Sequence, residues 1–202
     1  MTSSSTIIEE IEAIRDTGHA SLAFYYYDFR DDQKRDLRGL LASVLFQLCG
    51  QSNSYHDTLA AFYSTHCVGR PSDDELARCL KDLLKLPGQA PVYLIIDALD
   101  ECQNTPALSF PREKVLTFLE DLIKSKLPNL RICVTSCLQA DIKHVLKWLT
   151  FRSISVHDER GQLEDIKNYI TSTVNSHRNM QKWKPEHKQL VIDVLTRRAD
   201  GM

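Results

Sequence analysis

Apolar residues along the chain follow two patterns, recurring every three to four positions in some stretches and almost continuously in others. The first pattern is typical of amphipathic helices, and it predicts helices over residues 6–17, 36–49, 54–66, 73–86, 111–127, 139–149, 162–175 and 185–199. Short runs of apolar and β-branched residues predict strands over residues 21–29, 91–97, 130–135 and, more weakly, 152–156. Boundary residues support these limits, since Ser72 can cap the helix after it and Pro111 can open one.

The order of these elements predicts an α/β fold. Strands that alternate with helices form a parallel sheet with helices on both faces, a three-layer arrangement. The run at 91–97 is apolar throughout, which is typical of a strand at the centre of such a sheet. After the segment at 152–156 the pattern is only helical. We therefore expect a core domain over residues 1–157 and the start of a helical subdomain over residues 158–202.

Composition and charge exclude several classes of partner. Apolar residues make up 43% of the chain, and its net charge of -2 provides no basic surface for nucleic acid or an anionic membrane. No apolar run approaches the roughly 20 residues that span a bilayer, and the first residues do not resemble a secretory signal. Most of the six cysteines lie within predicted helices and strands, without zinc-site spacing. We expect a reduced, cytoplasmic protein without nucleic-acid or membrane partners.

The strongest chemical feature is the acidic end of the strand at 91–97, where Asp97, Asp100 and Glu101 lie within five positions. Because charged side chains are costly to bury, we expect them at the exposed carboxyl end of the strand, where open α/β sheets bind ligands. There Asp97 can hold the water shell of nucleotide-bound Mg²⁺, and Glu101, with Asp100 beside it, can polarise an attacking water. This is the Walker B pattern of nucleotide-binding proteins, with a metal ligand followed by catalytic carboxylates.

The phosphate-binding half of such a site does not occur in the sequence. A loop of the form G-x-x-x-x-G-K-[ST] surrounds phosphates with backbone N–H groups and adds the charge of a lysine. None of the seven glycines is followed by lysine, and no two of them lie five positions apart. Since Mg²⁺ depends on phosphates for further ligands, the carboxylates alone are expected to hold it weakly.

The order of motifs resembles that of the NACHT-type NTPase module of signalling proteins (STAND-class P-loop NTPases), in the form of fungal nephrocystin-3-like N-terminal domains. The matching stretches are FYYYDF at 24–29, the helix at 40–49, DALDEC at 97–102, LRICVTS at 130–136 and RADGM at 198–202. The resemblance implies a P-loop NTPase-like fold that binds Mg-ATP or Mg-GTP and switches between two states. It also implies that Thr135 and Ser136 lie in the region that senses the nucleotide.

The sequence departs from that family where phosphate is bound. The family's phosphate loop and the strand before it precede a helix like that at 6–17, and here Met1 stands about where the loop's last Ser or Thr would be. An Arg-Pro-Glu that follows LRICVTS in the family is replaced here by Cys137-Leu138-Gln139. A thiol cannot supply the charge and the donors of that arginine, which is taken to sense the γ-phosphate. We therefore expect a truncated domain that lacks the first strand and the phosphate loop.

The missing strand has a structural consequence. In this NTPase class it lies inside the sheet, between the strands that correspond to 130–135 and 152–156. Without it, the strand at 130–135 has an open edge, and open edges pair with other strands. We expect either that the segment at 152–156 pairs with it directly or that the protein associates with itself there.

Three functions remain open from the sequence. The first is a protein-interaction or regulatory module, with other protein domains as partners, weak or no nucleotide hydrolysis and no tightly bound nucleotide. The second is a metal-dependent phosphoester hydrolase that uses Asp97, Asp100 and Glu101, for which Asp28 and Asp141 are the only further carboxylates at plausible strand ends. The third is a truncated product without function.

Overall fold

The structure of the chain is a computed structural model, which describes residues 3–31, 34–65, 69–102, 111–154 and 160–199. The chain divides into two compact units, Met1–Leu149 and Thr150–Met202. The domain boundary expected between residues 157 and 158 lies outside the described residues and stays a prediction.

The first unit alternates helices and strands in the predicted order. Its helices are α1 (Ser3–Asp16), α2 (Leu37–Cys49), α3 (Asn53–Thr65), α4 (Asp73–Leu84), α5 (Pro111–Lys124) and α6 (Ala140–Leu146), and its strands are β1 (Ser21–Tyr26), β2 (Val92–Asp97) and β3 (Leu130–Val134). Local capping fixes the start of α4, because the Ser72 hydroxyl accepts from the N–H of Glu75 while the Glu75 carboxylate accepts from the N–H of Ser72. The helix start predicted at Ser72 is therefore confirmed.

The three strands form one parallel sheet in the order β1-β2-β3. Tyr26 pairs with Asp97 at the carboxyl end of β1 and β2, and Ile96 pairs with Val134 at the same end of β3. All three strands therefore end at one edge of the sheet, and the loops that follow them begin side by side. The predicted α/β class with a parallel sheet is confirmed.

Alternation along the strands divides the apolar core between the two faces of the sheet. Leu94 and Ile96 face the larger core with α2, α3, α4 and α5, while Ile95 faces a smaller core that α1 covers with Ile8 and Ile11. Helices therefore lie on both faces of the sheet. The exposed fractions of Leu94, Ile95 and Ile96 are 2%, 1% and 0%, as expected for a central strand covered on both faces.

The described part of the second unit contains two helices, α7 (Arg160–Ser176) and α8 (Pro185–Ala199). The weak strand predicted at 152–156 is wrong in its described part, since residues 152–154 are exposed and form no strand. Because this segment buries no apolar face, no gain from burial offsets the conformational entropy that ordering it as a strand would lose. Residues 155–156 lie outside the described residues. Among the helices described, none is long and apolar enough to cross a membrane.

Candidate functional site

The acidic residues singled out in the sequence lie at the centre of the edge where the three strands end. Asp97 is the last residue of β2, and Leu99–Glu101 form one turn of 3-10 helix. Between them Ala98 takes a left-handed conformation, with φ 54° and ψ 47°. That conformation is unfavourable for a residue with a side chain, so contacts from elsewhere must hold it. We call the segment 97–101 the acidic turn.

Thr135, directly after β3, connects that strand to the acidic turn. Its hydroxyl donates to Asp97 Oδ1 at 2.5 Å and accepts from the N–H of Ala98 at 3.1 Å. Its backbone N–H donates to the carbonyl of Ile96, and its carbonyl accepts from the N–H of Leu99. These bonds hold the left-handed residue in place and orient one oxygen of the Asp97 carboxylate.

The other two carboxylates of the acidic turn hold the loops on either side of it. Asp100 Oδ1 accepts from the N–H of Cys137 at 2.8 Å, in the segment after β3. Glu101 Oε2 accepts from the N–H of Phe29 at 3.3 Å, in the loop after β1. The end of β2 is therefore joined to the ends of both neighbouring strands through its carboxylates.

Arg112, in the first turn of α5, holds the same segment from the helical side. Its guanidinium donates to the carbonyls of Asp100 at 2.6 Å and Cys102 at 2.7 Å, and to the carboxylate of Asp141 at 3.0 Å. Its side chain is only 12% exposed. Partial burial raises the pKa of the Asp141 carboxyl, but the hydrogen bond and charge of Arg112 outweigh it and leave that pKa below its usual value. Arg112 therefore links α5, α6 and the acidic turn.

The side chains of the two residues after Thr135, Ser136 and Cys137, make only local contacts in the described structure. The Ser136 hydroxyl donates to the carbonyl of Cys137 at 2.9 Å, whereas the Thr135 hydroxyl reaches Asp97. A hydrogen bond to the Asp100 carboxylate, and its charge, raise the pKa of the exposed Cys137 thiol, and a thiol carries no positive charge in either protonation state. No positive charge stands at the position where the family resemblance implies an arginine.

The carboxylates at this edge of the sheet are suited to binding the Mg²⁺ of a Mg-nucleotide rather than its phosphates. Mg²⁺ in such sites binds through one or two carboxylates together with phosphate oxygens and waters. Asp97 can offer the oxygen that Thr135 does not engage, and Asp100 and Glu101 each use one carboxylate oxygen to accept from a loop N–H group. Within the described ranges, no three His, Cys, Asp or Glu side chains are gathered to hold a metal ion.

The further carboxylates considered for a hydrolase are engaged elsewhere. Asp28 pairs with Arg30, with Oδ1 at 3.0 Å from Nε, and Asp141 pairs with Arg112. Both carboxylates are therefore held by arginines. This geometry gives the metal-dependent hydrolase hypothesis no support.

Two glutamines that sequence reasoning missed close the outer edge of β1. The Gln51 amide accepts from the N–H of Leu22 at 2.9 Å and donates to its carbonyl at 2.5 Å. The Gln47 amide does the same for Phe24, at 3.0 and 2.8 Å. Four residues of α-helix rise about 6 Å, close to the rise of two residues of a strand. Gln47 lies in the last turns of α2 and Gln51 directly follows its C-cap, Gly50, so two side chains about one helical turn apart meet alternate residues of β1.

Comparison with known proteins places these features in context. A family model described as Nephrocystin 3, N-terminal, matches residues 2–137. The match covers more than half of the chain and includes all three strands, the acidic turn and Thr135. Neither the curated proteins nor the solved structures contain a match to the chain.

Proposed function

The chain belongs to the nephrocystin 3 N-terminal family, and from this premise we propose that it is a NACHT-like regulatory and protein-interaction module with weak or no nucleotide hydrolysis. In this proposal its fold is that of the P-loop NTPases, and the acidic turn is the Walker B segment of that fold. Its partners are other protein domains in the cytoplasm.

The proposal rests mainly on the hydrogen bonds that the acidic side chains make to neighbouring loops. A general base has to accept a proton from a water beside the substrate. One oxygen of Glu101, which would take that role, accepts from the N–H of Phe29, and one oxygen of Asp100 accepts from the N–H of Cys137, so both carboxylates are bound to neighbouring loops. The acidic turn therefore acts as a connector between three loops, and a partner that moves one loop would affect the other two.

Nucleotide binding is expected to be weak for the same reason. When bound, a Mg-nucleotide supplies a cation and a triphosphate, and Asp97, held by Thr135, would face the cation. The triphosphate requires N–H donors and positive charge, which the 202 residues do not provide as a G-x-x-x-x-G-K-[ST] loop. The neutral thiol of Cys137 adds no charge at the position of the family's arginine.

The proposal is tested by measuring phosphate release from Mg-ATP and from Mg-GTP. We expect the purified protein to release phosphate no faster than a Glu101→Gln variant, whose amide oxygen can still accept from Phe29. Glu120→Gln, at a half-exposed position paired with Lys124, is the matched control for contaminating activity. Saturable turnover that Glu101→Gln abolishes and Glu120→Gln leaves intact would contradict the proposal.

A further inference from the structure

The two edges of the sheet differ in whether their backbone groups are paired. On β3 the N–H and C=O groups of residues 129, 131, 133 and 135 face β2, so those of Leu130, Ile132 and Val134 point outward. The N–H of Leu130 donates to the carbonyl of Leu127. For Ile132 and Val134, no strand or side chain in the described part of the chain pairs with the outward groups.

The edge of β1 is closed at the corresponding place. Gln47 and Gln51 pair with the outward N–H and C=O groups of Phe24 and Leu22, as a neighbouring strand would. A sheet with two open edges can add copies without limit, whereas one open edge allows only one copy to join. The glutamines therefore favour a closed dimer over an open assembly.

We propose that β3 pairs with β3 of a second copy of this chain, in antiparallel orientation, about a two-fold axis at Cys133. In this register Ile132 lies opposite Val134 of the second copy and exchanges both backbone hydrogen bonds with it. All the outward groups of Ile132 and Val134 in both copies are then paired. A register centred one residue earlier would require the N–H of Leu130, which already donates within its own chain. The product is one continuous six-stranded sheet.

The side chains of β3 suit this pairing. Leu130, Ile132 and Val134 pack against the larger core but remain half-exposed, so a neighbouring strand would cover them. β-Branched residues opposite one another are favourable cross-strand pairs. The charged residue of the strand, Arg131, would face Thr135 of the second copy, so no like charges lie opposite each other.

This inference rests on the proposed interaction function and specifies its partner as a second copy. The proposed function and the proposed dimer can be contradicted independently of each other. Nucleotide turnover would contradict the proposed function without changing the oligomeric state, and a monomer would contradict the dimer without creating turnover.

The register is tested by oxidising Cys133 across the two-fold axis. Residues at the centre of this register form a non-hydrogen-bonded pair with Cα atoms about 4.5 Å apart, which is within disulfide range. Burial raises the pKa of the Cys133 thiol, so oxidation with diamide is done at alkaline pH. A background of Cys67→Ser and Cys137→Ser removes the exposed thiol and one outside the described residues. We expect a disulfide-linked dimer that Cys133→Ser prevents.

A second variant tests the backbone pairing without cysteine chemistry. Ile132→Pro removes an outward N–H, a change that edge strands tolerate. We expect its dimer dissociation constant, from sedimentation equilibrium, to rise at least about tenfold, with an unchanged circular dichroism spectrum. Ile132→Val, which keeps the N–H, should dimerise as the wild type does. A wild-type monomer throughout the micromolar range would overturn the inference, and so would a dimer without a Cys133 cross-link.

Discussion

Replacing Gln47 and Gln51 together with methionine is expected to lower the free energy of unfolding by about 2–6 kcal/mol. The two side chains make four hydrogen bonds to Leu22 and Phe24, and each such bond contributes about 0.5–1.5 kcal/mol net. Methionine keeps the length of the side chain but removes the amide. The edge of β1 then becomes open, so we also expect assemblies larger than the dimer.

The lower stability and the larger assemblies can both be measured on one preparation of the double variant. Urea unfolding is followed at several protein concentrations, because association of the native form adds to its apparent stability. Sedimentation velocity gives the distribution of assembly sizes. Gln139→Met is the matched control, since Gln139 is exposed and its side chain makes no capping bond. A double variant as stable as this control, with the same sedimentation profile, would show that the glutamines do not close the edge.

Replacing Arg112 with methionine is expected to lower the free energy of unfolding by about 3 kcal/mol, since hydrogen bonds to a charged group contribute about 1.5–3 kcal/mol each. The carbonyls of Asp100 and Cys102 would lose their buried donor, and Asp141 would lose its ion pair. The acidic turn should loosen as a result. We expect hydrogen exchange at the N–H groups of Leu99 and Cys102 to accelerate more than exchange in β1.

The destabilisation caused by Arg112→Met should depend on pH through the pKa of Asp141. That pKa is lower in the folded protein than its usual value of about 3.9. A carboxyl of this kind stabilises the fold above its unfolded-state pKa, and the contribution disappears as pH falls through the folded-state pKa. The difference in stability between the wild type and Arg112→Met should therefore narrow below about pH 4.

The control for Arg112 is an arginine with a similar but exposed ion pair. Arg30 lies 3.0 Å from Asp28, and its side chain is 76% exposed. Exposed pairs contribute little to stability because both charges remain hydrated, so Arg30→Met should leave the unfolding midpoint almost unchanged. Equal stability of Arg30→Met and Arg112→Met would contradict the role given to Arg112.

The regular elements could be predicted because their signals are local. The leucines of α2 recur at helical spacing, Ser72 and Glu75 have capping-box spacing, and the apolar run of β2 is uninterrupted. Such signals depend on residues a few positions apart, and they determine the alternation of helices and strands. The parallel sheet then follows from that alternation.

The contacts that organise the site could not be predicted because they join distant residues. The acidic turn was correctly expected after an apolar strand, but Glu101 and Phe29 are 72 positions apart, and Asp100 and Cys137 are 37 apart. Gln47 and Arg112 are ordinary residues of a helix surface and of a first turn. Only the placement of α2 beside β1, and of α5 beside the acidic turn, gives them a role.

Strand ends were also difficult to predict. β1 stops at Tyr26, although the aromatic pattern continues to residue 29. The Asp28 carboxylate accepts from the N–H of Arg30, which turns the chain away from the sheet. The aromatic composition of residues 21–29 predicted a longer strand, but the hydrogen bond from the N–H of Arg30 to the Asp28 carboxylate determines where the strand ends.

We propose above all that the acidic turn joins the strand ends and does not bind a Mg-nucleotide tightly. The most direct test is calorimetric titration of the purified protein with Mg-ATP and with Mg-ADP. Asp97→Asn is the matched control, because its amide oxygen can still accept from Thr135 while the negative charge is removed. We predict heats no larger than those of dilution for both proteins. Saturable heat with the wild type that Asp97→Asn abolishes would contradict the claim.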